Sequence, residues 1–145
     1  MSKNRLLHVF VLFVLIIASS SSVMGKNPVL KGTKWTAVQE IFVADAGTMT
    51  ITHTLEFTSA KEVRVKEASH MPSYPAMYVN PDGTIDTIPG HSSESEYVGS
   101  YQFVAGALVI TKEDGHKEIF HYTEDGTFVQ KTPWDEVIVF SRNEE

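Results

Sequence analysis

Between Thr48 and Phe57 the chain reads TMTITHTLEF, and Met49, Ile51, His53, Leu55 and Phe57 alternate there with Thr48, Thr50, Thr52, Thr54 and Glu56. A period of two sends successive side chains to opposite faces. The stretch therefore fits a half-buried antiparallel strand and not a helix, whose apolar positions recur every three to four residues. Shorter runs of the same kind follow at KEVRVKEA (61–68), EYVGSYQFV (96–104), ALVITK (107–112), KEIFHYT (117–123), TFVQK (127–131) and EVIVFSR (136–142). After the first 25 residues no segment carries a 3.6-residue amphipathic repeat, so the expected class is all-β.

The punctuation between these runs agrees. Asp-Gly stands in PDGT (81–84), EDGH (113–116) and EDGT (124–127), and it tolerates the positive φ angles that tight hairpins need. From Tyr97 to Lys131 the order is strand, short turn, strand, so sequence neighbours should be sheet neighbours. The stretch Ser69–Ser95 differs: it holds Pro72, Pro75, Pro81 and Pro89 and ends near HSSESE. It reads as an excursion carrying a small hairpin, AMYVN turning at PDG into TIDTI, and as a candidate mouth loop. With the first strand over Gly32–Phe42, eight or nine strands are expected in one domain. A sheet of that size disposes of its edges by closing, and sequential hairpins favour a single up-and-down antiparallel β-barrel of about eight strands.

The N-terminus is of another kind. Lys3 and Arg5 precede the apolar run Val9–Ala18, and small residues lead to Gly25. This is the pattern of a secretory signal peptide over residues 1–25, leaving a domain at 26–145. The apolar run is about half the roughly 20 residues a membrane-spanning helix needs. Cleavage there would change the formal charge from -6 to 10 basic minus 18 acidic residues, or -8. Such a chain is a poor partner for nucleic acid, whose binding depends on Lys and Arg. There is no cysteine, so neither a lipidated N-terminal cysteine nor a disulfide is available. With no Asn-x-Ser/Thr acceptor either, the expected setting is a bacterial exported protein, periplasmic or secreted and not membrane-spanning after cleavage.

LKGTKW at the first strand, the pair GSYQFVAGALVIT and EIFHYTEDGTFV, and the closing EVIVFSR resemble the bacterial lipocalin-like proteins, small exported members of the calycin group. The resemblance covers nearly all of the chain after the leader, although two residues separate Gly32 from Trp35 where the family's usual signature has one. It implies a tryptophan at the closed end of the barrel with an arginine from the last strand packed over the indole. The matching pair is Trp35 and Arg142, a structural latch worth about 0.5–2 kcal/mol as a cation–π contact. It also implies an open end that takes up a small ligand.

The chemistry-bearing residues form no recognisable catalytic set. Of the histidines after the leader, His53 and His121 lie on confident strands, but their facing depends on register, and no three or four ligands converge in the sequence. NPDGTID (80–86) has the middle of a calcium loop, yet Tyr78 and Pro89 occupy positions where acidic ligands belong. Ser92, Ser93 and Ser95 near His91 lack a nucleophile elbow. No cofactor, no metal and no enzymatic activity are expected. What remains is an inventory for a cavity: Ile51, Leu55, Phe57, Tyr97, Tyr101, Phe103, Phe120 and Tyr122, with Met77 and Tyr78 from the excursion. An eight-stranded barrel is wide enough to fill itself with such side chains or to hold one small ligand. The leading expectation is a binding module for a small apolar or amphipathic ligand. The alternative is a solid barrel that binds an extracytoplasmic protein, as an inhibitor would.

Overall fold

The computed structural model describes residues 27–144, so the expected signal peptide lies outside the described residues. The described chain is all-β. Its ten strands are β1 (Lys34–Val43), β2 (Gly47–Phe57), β3 (Glu62–Met71), β4 (Tyr74–Pro75), β5 (Thr87–Ile88), β6 (His91–Val104), β7 (Ala107–Thr111), β8 (Lys117–Tyr122), β9 (Phe128–Lys131) and β10 (Val137–Arg142). Eight of them close into one antiparallel barrel in up-and-down order, and β4 pairs with β5 as a separate two-stranded sheet. No helix among the described residues is long and apolar enough to cross a membrane.

The excursion is shorter than its proline content suggests. Ser69–Met71 continues β3 and His91–Ser95 opens β6, in register from Met71↔His91 to Glu62↔Ser100, so the part outside the barrel is 72–90, which carries the β4–β5 pair. Polar residues such as HSSESE read as loop, but a strand whose partner lies along its whole length needs no apolar face of its own. The serines join the ladder, with Ser69 and Ser93 hydroxyls 2.6 Å apart and His70 Nδ1 2.8 Å from Ser92 Oγ. Gly90, where the excursion rejoins the barrel, would place a Cβ 2.4 Å from the Met71 carbonyl oxygen, so only glycine fits that crossing.

Strand lengths give the barrel its shape. β1, β2, β3 and β6 run 10, 11, 10 and 14 residues, whereas β7, β8, β9 and β10 run 5, 6, 4 and 6. β7 pairs only with Ser100–Val104 of β6, and β10 only with Trp35 and Thr36 of β1, so the long strands extend past the short ones at the end away from Trp35. The closed end is packed solid. Trp35, Phe57, Phe128, Leu108 and Ile110 are all at most 2 % exposed, with the Trp35 and Phe128 rings 4.7 Å apart and those of Phe57 and Tyr101 4.9 Å apart, both edge-on. Rings meeting edge to face add about 0.5–1.5 kcal/mol to the area they bury. Gly99 belongs to this packing, since a Cβ there would stand 2.9 Å from Ile110 Cγ2.

Closure between β1 and β10 rests on two register pairs, Trp35↔Arg142 and Thr36↔Ser141, extended by Asn143 N donating to Lys34 O at 2.8 Å. The register thus brings Trp35 and Arg142 opposite each other, but the expected stacking is not formed. Arg142 is exposed, and the only cation over a ring among the described residues is Lys112, on Tyr97. At the last position of β10 the guanidinium reaches solvent past the barrel end. The indole is covered instead by Phe128 and Tyr122. Its Nε1–H donates to Thr33 Oγ1 at 2.9 Å, and that buried hydroxyl donates to Leu30 O at 2.6 Å.

The latch is therefore the Leu30–Thr33 strap. Thr33→Val keeps its shape but leaves the buried indole N–H without an acceptor, and it should cost about 1–3 kcal/mol. Urea unfolding followed by Trp35 fluorescence, in a Trp134→Phe background, measures the loss.

Candidate functional site

Above the packed half, the inward positions change character. Along β1 the phase of Trp35 and Ala37 reaches Gln39. On β2 that of Phe57 and Leu55 reaches His53, on β3 that of Val63 and Val65 reaches Glu67, and on β8 and β9 the phases of Phe120 and Phe128 reach Glu118 and Gln130. The pleat delivers His53, Glu67, Glu118 and Gln130 to one cup at the open end, with a volume of about 410 Å³, and Gln39 meets it through His53. Leu55, Phe120 and Phe140 form its floor, and Tyr97, Lys112 and His116 stand at its side. The short wall stops at Thr111 and Lys131, so no further apolar layer closes the space.

Two polar clusters face each other across the cup. Glu118 Oε1 accepts from the Tyr97 hydroxyl at 3.0 Å and lies 3.0 Å from Lys112 Nζ, while Gln130 Nε2 reaches Oε2 at 3.5 Å. The Lys112 ammonium also sits 4.6 Å from the centre of the Tyr97 ring. Burial first, and then the Glu118 charge, pushes the Tyr97 phenol well above its ordinary range, so it serves as a neutral donor.

Opposite them, His53 stands between two acceptors. Its Nδ1 is 3.5 Å from Glu67 Oε2 and its Nε2 is 3.3 Å from Gln39 Oε1. The Gln39 amide is held in that orientation because its Nε2 donates to Glu136 Oε2 at 2.5 Å, a bond that also bridges the barrel seam above the two closing pairs. A neutral imidazole has one N–H for two acceptors. Burial nevertheless outweighs the attraction of Glu67 and Glu118 and lowers the proton affinity of His53.

Of the side chains expected to line a cavity, Leu55, Tyr97 and Phe120 do so. Phe57, Tyr101, Phe103 and Tyr122 lie at the opposite, packed end, where the Tyr101 hydroxyl donates to Ser59 O at 2.7 Å. Ile51 lies further out on β2 than the cup, and Met77 and Tyr78 are exposed on the hairpin. His121 faces outward. In NPDGTID the polar side chains serve the turn, with Asp82 Oδ1 accepting from Thr84 N and Oγ1 and Asn80 Nδ2 donating to Asp86. Among the described residues no group of three or more His, Asp or Glu is placed to hold a metal ion. Sequence reasoning missed Gln39, Glu67, Lys112, Glu118 and Gln130. The signal for four of them was present, a polar residue in phase with an apolar strand face and always toward the same end.

A wider groove of about 820 Å³ lies at the closed end between Lys31, Lys34, Arg142 and Glu144. It runs between the strap and the last strand and receives no inward-facing side chain. Comparison with protein-family models, curated proteins and solved structures finds no match to this chain.

Because folding lowers the proton affinity of His53, the unfolded chain binds the extra proton first, from about pH 6.5 downward. Its contribution to stability is complete above that pH and is lost as pH falls toward the lower folded value. The His53 ring resonance in an NMR titration should show a midpoint below 6.5. Glu67→Gln, which removes the attraction holding the proton, should move it lower still.

Proposed function

We propose that this chain is an exported lipocalin-like binding module whose open end takes up one small amphipathic ligand. The observation that carries the reading is the cup itself. Its roughly 410 Å³ falls within the range of about 300–1,000 Å³ usual for ligand sites. An apolar floor of Leu55, Phe120 and Phe140 lies beneath a larger set of polar groups, a lining that suits an amphipathic ligand better than a wholly apolar one. Those groups are already oriented by bonds to one another, so little ordering remains to oppose binding. Up-and-down closure and a tryptophan at the sealed end support the lipocalin-like reading. The leader pattern in residues 1–25 supports export.

Ser95 opens into the cup from β6, and Ser95→Trp should fill it from the side without touching the packed end. Native mass spectrometry of the purified protein should show a bound small molecule in the parent and none in Ser95→Trp, with both unfolding at similar temperatures. A parent that carries no ligand, and takes up none from a panel of amphipathic compounds, sinks the reading.

A second reading, a protein-interaction module, draws on one specific observation. Trp134, Met77 and Phe42 are 85 %, 82 % and 78 % exposed, and all three lie at the cup end, on the 132–136 turn, the 72–90 excursion and the tip of β1. Large apolar side chains gathered in this way mark contact surfaces. If a protein binds here, crosslinking should capture the same partner with the parent and with Ser95→Trp and lose it with Trp134→Ser/Met77→Ser. Equal capture by all three removes this reading.

A further inference from the structure

The charge balance of the cup is uneven. Two carboxylates, Glu67 and Glu118, face in against one ammonium, Lys112. Lys66 borders the same space but stands on the alternate phase of β3, with its ammonium 3.7 Å from Glu96 and 4.0 Å from Glu56 on the outer face. Glu118 is met by Lys112, Tyr97 and Gln130, whereas the near neighbour of Glu67 is the half-buried imidazole of His53. Glu67 thus presents a negative charge, 54 % exposed, at the lip of a partly enclosed cup with an apolar floor.

The surroundings have the same sign. The loops ringing the opening, 44–46, 72–90, 112–116 and 132–136, carry seven carboxylates and one ammonium, Lys112 itself. At the neighbouring strand ends Lys131 is paired with Asp135 at 3.1 Å, which leaves Lys117 as the other nearby cation. A mouth lined by one sign of charge concentrates ligands of the opposite sign and repels like ones.

We propose that the ligand of the cup is an organic cation, an ammonium or guanidinium on a compact apolar body. Its charged head lies against Glu67, and its body rests on Leu55, Phe120 and Phe140. This rests on the reading of the cup as a small-molecule site. An anion would have to displace Lys112 from Glu118 and approach Glu67. A neutral apolar molecule would leave Glu67 partly stripped of water with nothing in return.

Three probes of matched shape test the charge: 2-phenylethylammonium, the neutral 2-phenylethanol and the anionic 3-phenylpropanoate. Each is titrated at low ionic strength and pH 7 into protein expressed from the full-length sequence, with the resonances of His53, Tyr97 and Phe120 as readout. The ammonium should bind at least tenfold more tightly than the alcohol, with the carboxylate weakest. Glu67→Gln should reduce the preference for ammonium over alcohol to within twofold, by weakening the ammonium and relieving the desolvation cost that the alcohol meets in the parent. Glu94→Gln, on the outer face of β6, should keep the preference. If the alcohol or the carboxylate binds as tightly as the ammonium, or if Glu67→Gln keeps the full preference, the cation is overturned while the cup remains a ligand site. If no probe moves the three resonances, the small-molecule reading falls and the cation with it.

Discussion

The architecture hangs on the seating of the Trp35 indole at a barrel seam only two residue pairs long. β1 and β2 are paired along ten positions, but β1 meets β10 only at Trp35↔Arg142 and Thr36↔Ser141. So few backbone bonds hold a circle closed only if side chains lock the same place. Trp35 does this from the inside, with Phe128 from the neighbouring short wall against its face and the Leu30–Thr33 strap tied to its N–H. The strap adds a backbone bond from Gly32 N to Phe57 O at 2.8 Å, so it binds β1, β2 and the closed end together.

A closed lower end makes an open upper end possible. Four long strands that extend past four short ones leave a tall wall facing a low one. The volume between them receives inward side chains without a full ring of partners. Packed apolar side chains would be exposed there to water from above, and polar ones can satisfy each other across the gap. Glu118 collects three donors, and His53 sits between Gln39 and Glu67. The barrel is solid and hollow in sequence along one axis, so the alternatives of a filled and a hollow interior each describe one half. The Gln39–Glu136 bond spans the seam where the backbone ladder is absent, and this couples the shape of the cup to the polar cluster that lines it.

Much of this was legible in the residues. Strict alternation at TMTITHTLEF, repeated in six shorter runs and punctuated by Asp-Gly, is sufficient for eight antiparallel strands in sequential order, because period and turn chemistry are local properties. The limits of the excursion were not, since His91–Ser95 is a strand only through the β3 partner lying beside it. Trp35 and Arg142, expected to stack, are register partners without the stack. Whether two side chains in register actually touch depends on where the strand ends, and β10 ends at Arg142.

The sequence by itself determined the all-β class and the up-and-down order, because each follows from neighbours within about ten residues, whereas the tryptophan at the closed end was only what the resemblance implied. It also held, unread, the in-phase polar residues Gln39, Glu67, Glu118 and Gln130. Only the tertiary structure decided that Glu67, Glu118 and Gln130 share one space with His53 and Tyr97, and that Gln39 meets His53 at its edge. Their convergence depends on ladder register and on the unequal heights of two walls, quantities set by pairing between strands as far apart in the chain as Trp35 and Arg142. The candidate site has moved accordingly, from an aromatic lining spread over both ends to a polar cup above an aromatic floor.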